Sequence, residues 1–275
     1  MNLEPWRDQH PLEGPFLKLE RAEKHLKTID EYLAKFEAFN PHRVSFKLDS
    51  GEAFYEARLH AIFPPFLDFW TIIGEFCYQV RSALDHIVYA LAVFPPTLSE
   101  AQRAKAERDT AFPIGLERQA NDSGVRNRLI WIPKAAREDA FKIIDAVQPY
   151  KRGDRLSAFD DPLALLDELS NLDKHRLFKL LPVTIRINLV DLAPGIKTTN
   201  SGSPNHGDVI AWIPAHLNPE VEFHPRLTAE VVLPVTRHGG HVKMPSLGVI
   251  HNRVRHDILP EFKKFFGPLP PSVKI

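Results

Sequence analysis

The strongest pattern of hydrophobic positions in the chain runs from Phe66 to Ala92 and predicts one long helix. Apolar residues recur there at alternating spacings of four and three, as they do on a helix face that packs against other helices. Such a helix would be about 40 Å long, and the rest of the chain would be organised around it. Its apolar stripe consists of Phe66, Trp70, Ile73, Cys77, Val80, Leu84, Ile87 and Leu91.

Helical periodicity recurs in segments before and after this central helix. Start and stop signals support them: Asn40-Pro41 ends the first segment, and Asp161-Pro162 is an N-cap followed by a proline in the first turn. The predicted helices cover about 14–39, 66–93, 134–147 and 162–177, with a short charged helix at 98–109 and a closing helix at 252–266.

Two parts of the chain have the character of β-structure. Residues 43–63 contain alternating hydrophobic and polar positions around a turn at 49–52, which is typical of a β-hairpin. Residues 180–249 are rich in β-branched side chains and are interrupted by Gly, Pro and Asn, which predicts antiparallel strands.

The predicted fold class is therefore α+β. It is a helical bundle built around the central helix (about 66–93), with an antiparallel β-sheet formed mainly by the C-terminal half. Residues 1–178 would be a mainly helical region that includes the hairpin at 43–63. Residues 179–275 would be an antiparallel β region with a C-terminal helix. One compact unit is the alternative, because no long linker separates the two regions.

Composition restricts the classes of function. The 275 residues have a formal net charge of zero, which argues against a broad electrostatic grip on nucleic acid but not against a local basic site. Cys77 is the single cysteine, so no intramolecular disulfide can form, and a cytoplasmic location is expected. The N-terminus has no apolar signal segment, and four ionisable groups on the central helix argue against a membrane span.

Motifs for cofactors and metals are missing from the sequence. Neither Gly-rich phosphate loop pattern is present, and there is no nucleophile elbow, so no cofactor is expected. Four histidines, namely His238, His241, His251 and His256, could suggest metal ligands. They have no third-ligand motif and no cysteine partner, so we expect no metal and interpret them as solvated turn and helix-start residues.

Two charged segments are the candidate site. The first is Arg81–His86 on the central helix, where Arg81 and Asp85 are neighbours because they are four residues apart. Arg81 and His86 instead point about 140° apart. The second segment lies on the predicted fourth helix and contributes the candidate binding residues Asp173, Lys174, His175 and Arg176.

We predict that these two helices pack side by side. A buried guanidinium requires a carboxylate partner, so Arg176 is expected to pair with Asp85, and Asp173 with Arg81 or Lys174. If the segments meet at a cleft, His86 and His175 could share a site. If they meet in a sealed core, the charges would form a structural clamp.

The segments RSALDH, FPI, QPY and SNLDKHR, which span about residues 67–178, resemble a set of uncharacterised bacterial proteins. Separately, Arg81 and His86 with four residues between them resemble the short motif of the HEPN families. That resemblance implies an all-helical domain and, in many members, a metal-independent ribonuclease of toxin and phage-defence systems. It would make Arg81 the phosphate-binding residue and His86 the acid/base, in a composite site at a dimer interface.

Two function hypotheses follow. In the first, the protein is a HEPN-like ribonuclease with RNA as its partner, acting as a homodimer without metal. In the second, it is a non-catalytic interaction or binding module in which the same charged residues form a structural clamp. Exposure discriminates between them, because a clamp requires Arg81 and His86 to be buried and paired within one chain.

Overall fold

A computed structural model describes the chain over residues 10–39, 42–60, 67–94, 98–117, 125–175, 183–188, 192–199, 204–223, 225–234 and 241–267. Within these ranges, helices are combined with antiparallel strands, so the predicted α+β class is confirmed. None of the described helices has both the length and the apolar character needed to cross a membrane.

The helices of the first two thirds of the chain follow the predicted pattern closely. The central helix is continuous, as its uninterrupted apolar stripe requires. The helices are α1 (Glu13–Phe39), α2 (Leu67–Val93), α3 (Glu100–Asp109), α4 (Lys134–Ala146), α5 (Arg155–Phe159) and α6 (Pro162–His175).

The first helix lies antiparallel to the central helix along its length. The backbone of Gly14, at the start of α1, lies beside the imidazole of His86. Further along, the Nδ1 atom of His25 is 3.6 Å from a carboxylate oxygen of Glu75. This pair of helices contributes many of the buried side chains of the main core, among them Phe16, Leu19, Ile29, Phe69, Phe76, Val80, Leu84 and Ile87.

The closing helical segment begins earlier than predicted. It consists of α8 (Pro245–Asn252), a π-helical stretch (Arg253–Ile258) and a 3-10 stretch (Leu259–Phe265). Residues 245–249 were assigned to a strand by their composition, but Pro245 starts a helix at its first turn, where a missing N–H costs nothing. This start also corrects the prediction for His251, which is 4% exposed and donates from Nε2 to the Leu19 carbonyl oxygen at 3.0 Å.

In the described parts of the chain, the strands form a four-stranded and a three-stranded antiparallel sheet. Their orders are β1-β2-β5-β4 and β3-β6-β7. The strands are β1 (Arg43–Leu48), β2 (Phe54–His60), β3 (Val183–Asn188), β4 (Lys197–Thr198), β5 (Val209–Pro214), β6 (Arg226–Pro234) and β7 (His241–Lys243), and a short helix α7 (Pro219–Glu222) follows β5.

The four-stranded sheet joins the two halves of the chain. Its β1–β2 hairpin is the predicted one, but β2 also pairs with β5, so Tyr55 lies opposite Ile213 and Ala57 opposite Ala211. This sheet therefore contains strands from both sides of residue 178. The inner face has its own apolar cluster, which includes Ala57, Leu59, Ile210, Ala211, Ile213 and Phe223.

Candidate functional site

Arg81 is directed from the central helix towards the loop that follows α3. Its side chain is 17% exposed, and Nη2 lies 2.6 Å from the Phe112 carbonyl oxygen, to which it donates. The same nitrogen is 3.2 Å from Oδ1 of Asp85, one helical turn further on. Nη2 is therefore already used by the protein itself, whereas the buried Nη1 has no hydrogen-bond partner among the described residues.

Asp85 binds the backbone N–H of the same loop residue, Phe112. Its Oδ1 accepts a hydrogen bond from the backbone N–H of Phe112 at 2.8 Å. Together Arg81 and Asp85 satisfy both polar groups of Phe112, much as a neighbouring strand would. The Phe112 ring is completely buried in the main core, so the ion pair fixes an apolar plug.

Gln148 fixes the next residues of the loop from the end of α4. Its Nε2 donates to the carbonyl oxygens of Pro113 (2.9 Å) and Ile144 (3.0 Å), and its Oε1 accepts from the N–H of Gly115 at 2.9 Å. Sequence reasoning did not select Gln148. Its position, between an amphipathic helix and a proline, could have indicated this role. A polar residue there can bond the backbone groups that the helix end leaves unpaired.

We refer to Arg81, Asp85 and Gln148, with the loop 111–115 that they hold, as the loop clamp. Three of the four segments singled out in the sequence (RSALDH, FPI and QPY) thus meet in this one structural unit. Its side chains hold backbone atoms of the loop, and Arg81 and Asp85 also contact each other.

His86 lies on another side of the central helix, next to α1. The residue is exposed, and within the described parts of the chain its ring has no hydrogen-bond partner. Partial burial of the ring against α1 lowers the pKa of His86, the nearby Lys18 ammonium lowers it further, and Asp85 opposes both. Because Arg81 faces the 111–115 loop, the two residues do not form one site within the chain.

The second predicted segment reaches the central helix at a different level. Helices α2 and α6 do pack side by side, as predicted. The carboxylate of Asp173, however, lies against Gly74, where an added Cβ would be 2.3 Å from Oδ1. Gly74 is about 10 Å along the helix axis from Arg81, so Asp173 is not the partner of Arg81.

The other residues of that segment add little to the site. Lys174 is exposed. The side chain of His175 and the whole of Arg176 lie outside the described residues. The predicted pairing of Arg176 with Asp85 therefore also lies outside them. Partial burial raises the pKa of Asp173, and the neighbouring Lys174 opposes this. The end of α6 is level with Gly74, about 18 Å along α2 from His86.

The described residues contain no cluster of three or more His, Cys, Asp or Glu side chains that could hold a metal ion. Comparison with known proteins gave no match: no protein-family model, no curated protein and no solved structure is similar to this chain. The geometry of the site itself is therefore the basis for a functional proposal.

Proposed function

We propose that the protein is a non-catalytic interaction or binding module, in which Arg81 and Asp85 serve the fold. The observation that carries this proposal is the pair of hydrogen bonds from these two side chains to the backbone of Phe112. A catalytic arginine must present its guanidinium to a phosphate and to the charge that develops on it. Here the guanidinium is largely buried and binds a carbonyl oxygen and a carboxylate.

A nuclease assay tests the proposal. Purified protein and its His86→Ala variant are incubated with a pool of RNA, and the RNA is examined by gel electrophoresis. The proposal predicts intact RNA in both samples. Cleavage by the wild-type protein that is lost in His86→Ala would overturn it, whereas cleavage that persists equally in both would point to a contaminating nuclease and requires a fresh preparation.

A HEPN-like ribonuclease is the second candidate, and one observation favours it. His86 is exposed and has no hydrogen-bond partner in the described residues, and its lowered pKa keeps the imidazole neutral at neutral pH, as a general base requires. The arginine of such a site would come from a second copy of the chain. RNA is the substrate that this candidate requires, and toxin or phage-defence activity is its biological context.

Mixing two inactive variants tests the second candidate. If each active site takes Arg81 from one copy and His86 from another, an Arg81→Ala protein mixed with a His86→Ala protein regains part of the RNA cleavage. Sedimentation velocity of the wild-type chain shows whether a homodimer exists at the same concentration. A monomer without cleavage in the mixture would exclude this candidate.

We also propose a reducing location such as the cytoplasm. Cys77 is the single cysteine of the chain and is buried as a free thiol, so the chain has no intramolecular disulfide of the kind that oxidising compartments favour. Fractionation of cells that express the tagged chain tests this location, and recovery outside the cytoplasm would contradict it.

A further inference from the structure

The outer face of the four-stranded sheet has a composition unlike that of the rest of the chain. Ala57 and Leu59 point into the apolar cluster, so the residues that alternate with them on β2 point outwards. Residues directly opposite each other on paired strands lie on the same face, so the strand register identifies the outward residues of the other strands. The outer face consists of Arg43, Ser45 and Lys47 on β1, Phe54, Glu56, Arg58 and His60 on β2, Trp212 and Pro214 on β5, and Lys197 on β4.

This face concentrates positive charge in a chain that has no net charge. Glu56 is the only carboxylate among these outward strand residues, and it is neutralised by Arg58, whose Nη2 is 2.6 Å from Oε2. Arg43, Lys47 and Lys197 are exposed and have no ion-pair partner within the described residues. Three uncompensated cations therefore surround the middle of the sheet.

An exposed aromatic side chain lies between these cations. Trp212 is 36% exposed, and the strand register places Lys47, Glu56, Trp212 and Lys197 in one row across the sheet. Four strands at their usual spacing make this row about 14 Å wide. The Lys197 ammonium also lies 5.5 Å from the centre of the ring of Phe54, which lies opposite Pro214 and provides a second aromatic surface beside the row.

Further hydrogen-bonding groups lie at the adjacent end of the same face. Ser45 Oγ is 2.6 Å from His60 Nε2, and the His60 ring meets the ring of His206 edge-on with centroids 5.6 Å apart. These groups can exchange hydrogen bonds with sugar hydroxyls or base edges beside the cations.

We propose that this outer face binds a single-stranded polynucleotide. A base would stack on the indole of Trp212, and phosphates would contact Lys197 on the neighbouring strand and Lys47 two strands away, with Arg43 extending the path along β1. An aromatic platform between cations is the combination that single strands recognise, because their bases present open faces that a duplex hides. An acidic polypeptide would use the cations, but its carboxylates would not stack on Trp212.

This inference does not depend on the loop clamp, since the two use different residues and different elements. Either can fail while the other holds. A nuclease result from the assay above would leave the binding experiment unaffected, because the variants below change no residue of the clamp.

Binding is measured by the fluorescence anisotropy of a labelled oligouridylate of about ten nucleotides, within the range that a single binding domain covers. We expect Trp212→Ala to raise Kd by about 5- to 100-fold, and Trp212→Phe, which keeps an aromatic face, to have a much smaller effect. Lys197→Glu should also weaken binding and should lower the salt dependence by about one phosphate contact. Lys142→Glu on α4, which is exposed and lies on another element, is the charge-matched control and should leave Kd unchanged.

Three outcomes would overturn the inference. One is a Kd that Trp212→Ala and Lys197→Glu leave unchanged, provided that circular dichroism shows folded variants. Another is equally tight binding of a duplex of the same length. The third is displacement of the oligouridylate by polyglutamate at the same charge concentration, which would identify the face as a docking site for acidic protein. Equal binding of the deoxy oligomer would support the proposal, because both polymers share bases and phosphates.

Discussion

Arg81 and Asp85 bind the same residue from the two ends of its backbone: Arg81 donates to the Phe112 carbonyl oxygen at 2.6 Å, and Asp85 accepts from the Phe112 N–H at 2.8 Å. The two side chains also contact each other, at 3.2 Å. An i,i+4 ion pair on an exposed helix face contributes only about 0.3–0.5 kcal/mol. The Arg81–Asp85 pair should contribute more to stability, because replacing either residue would leave a backbone group of Phe112 and a charge without a partner next to the core.

Gln148 should matter more to stability than an exposed glutamine with a similar bond. Gln148→Leu leaves the Gly115 N–H and the Pro113 carbonyl oxygen without their side-chain partner in a buried loop, and we expect a loss of about 2–4 kcal/mol in the free energy of unfolding. Gln102→Leu is the control. Its side chain accepts from the Ser99 N–H at an exposed helix start, so the loss should be about 0.5–1 kcal/mol. Urea titration measures both, and equal losses would contradict the prediction.

Gly74 lies directly against the carboxylate of Asp173, an exposed side chain of α6. A Cβ at this position would lie 2.3 Å from Oδ1 and 2.7 Å from Cγ of Asp173. We expect Gly74→Ala to gain less stability than the roughly 0.5–1 kcal/mol that alanine usually adds to a helix interior, because the Asp173 side chain must leave its rotamer. The double variant Gly74→Ala/Asp173→Ala should recover the full gain.

Gly248→Ala is the matched control for this substitution. Gly248 is also within a helix, but nothing lies within 4 Å of an added Cβ, so the variant should be more stable than wild type. Thermal unfolding of the four proteins gives the comparison. A Gly74→Ala protein as stable as Gly248→Ala would contradict the prediction, because it would show that the Asp173 side chain moves away without loss of stability.

His42 should make the protein sensitive to acid. The residue is 6% exposed and packs edge-on against Phe36, and neither ring nitrogen has a hydrogen-bond partner in the described residues. Burial lowers the pKa of His42 below its usual value of about 6.5, so the unfolded chain binds the proton more readily than the folded one. Stability contributed by the neutral ring is therefore complete above about pH 6.5 and is lost as the pH falls towards the folded pKa.

His42→Phe tests this dependence, since it keeps a ring against Phe36 and removes both unpaired nitrogens. We expect the free energy of unfolding of the variant to fall less between about pH 7 and pH 5 than that of the wild type. Urea titrations at the two pH values measure the difference. Identical changes in the two proteins would exclude His42 as a source of acid sensitivity.

The sequence predicted the helices well because their periodicity repeats over many residues. The apolar stripe from Trp70 to Leu91 has helical spacing throughout, so it predicted one continuous helix, which the structure contains. The prediction that α6 packs beside α2 is also confirmed. The partner of Arg81 and Asp85 could not be predicted in the same way. It is a backbone amide and carbonyl of Phe112, and every residue of the chain offers such groups, so no side chain in the sequence marks the contact.

The β-structure shows a similar limit. The hairpin at Arg43–Leu48 and Phe54–His60 follows from local alternation around a turn, whereas its pairing with Val209–Pro214 depends on contacts far apart in the chain. The short run around Met244-Pro245 was ambiguous because its apolar residues suit a strand or a helix, and the proline at a helix start decided it. Likewise, the burial of His251 depends on its packing against α1, which its own sequence surroundings do not reveal.

Arg81 should be a structural residue, and the free energy of unfolding of Arg81→Met measures this, with His86→Ala as the comparison. Methionine keeps much of the length and apolar stem of arginine but cannot donate to the Phe112 carbonyl oxygen or pair with Asp85. We expect Arg81→Met to lose about 2–4 kcal/mol, since the Phe112 carbonyl oxygen loses its donor and the half-buried Asp85 carboxylate loses its cation, and His86→Ala to stay within about 0.5 kcal/mol of wild type. An Arg81→Met protein as stable as the wild type would show that the loop clamp does not hold the fold.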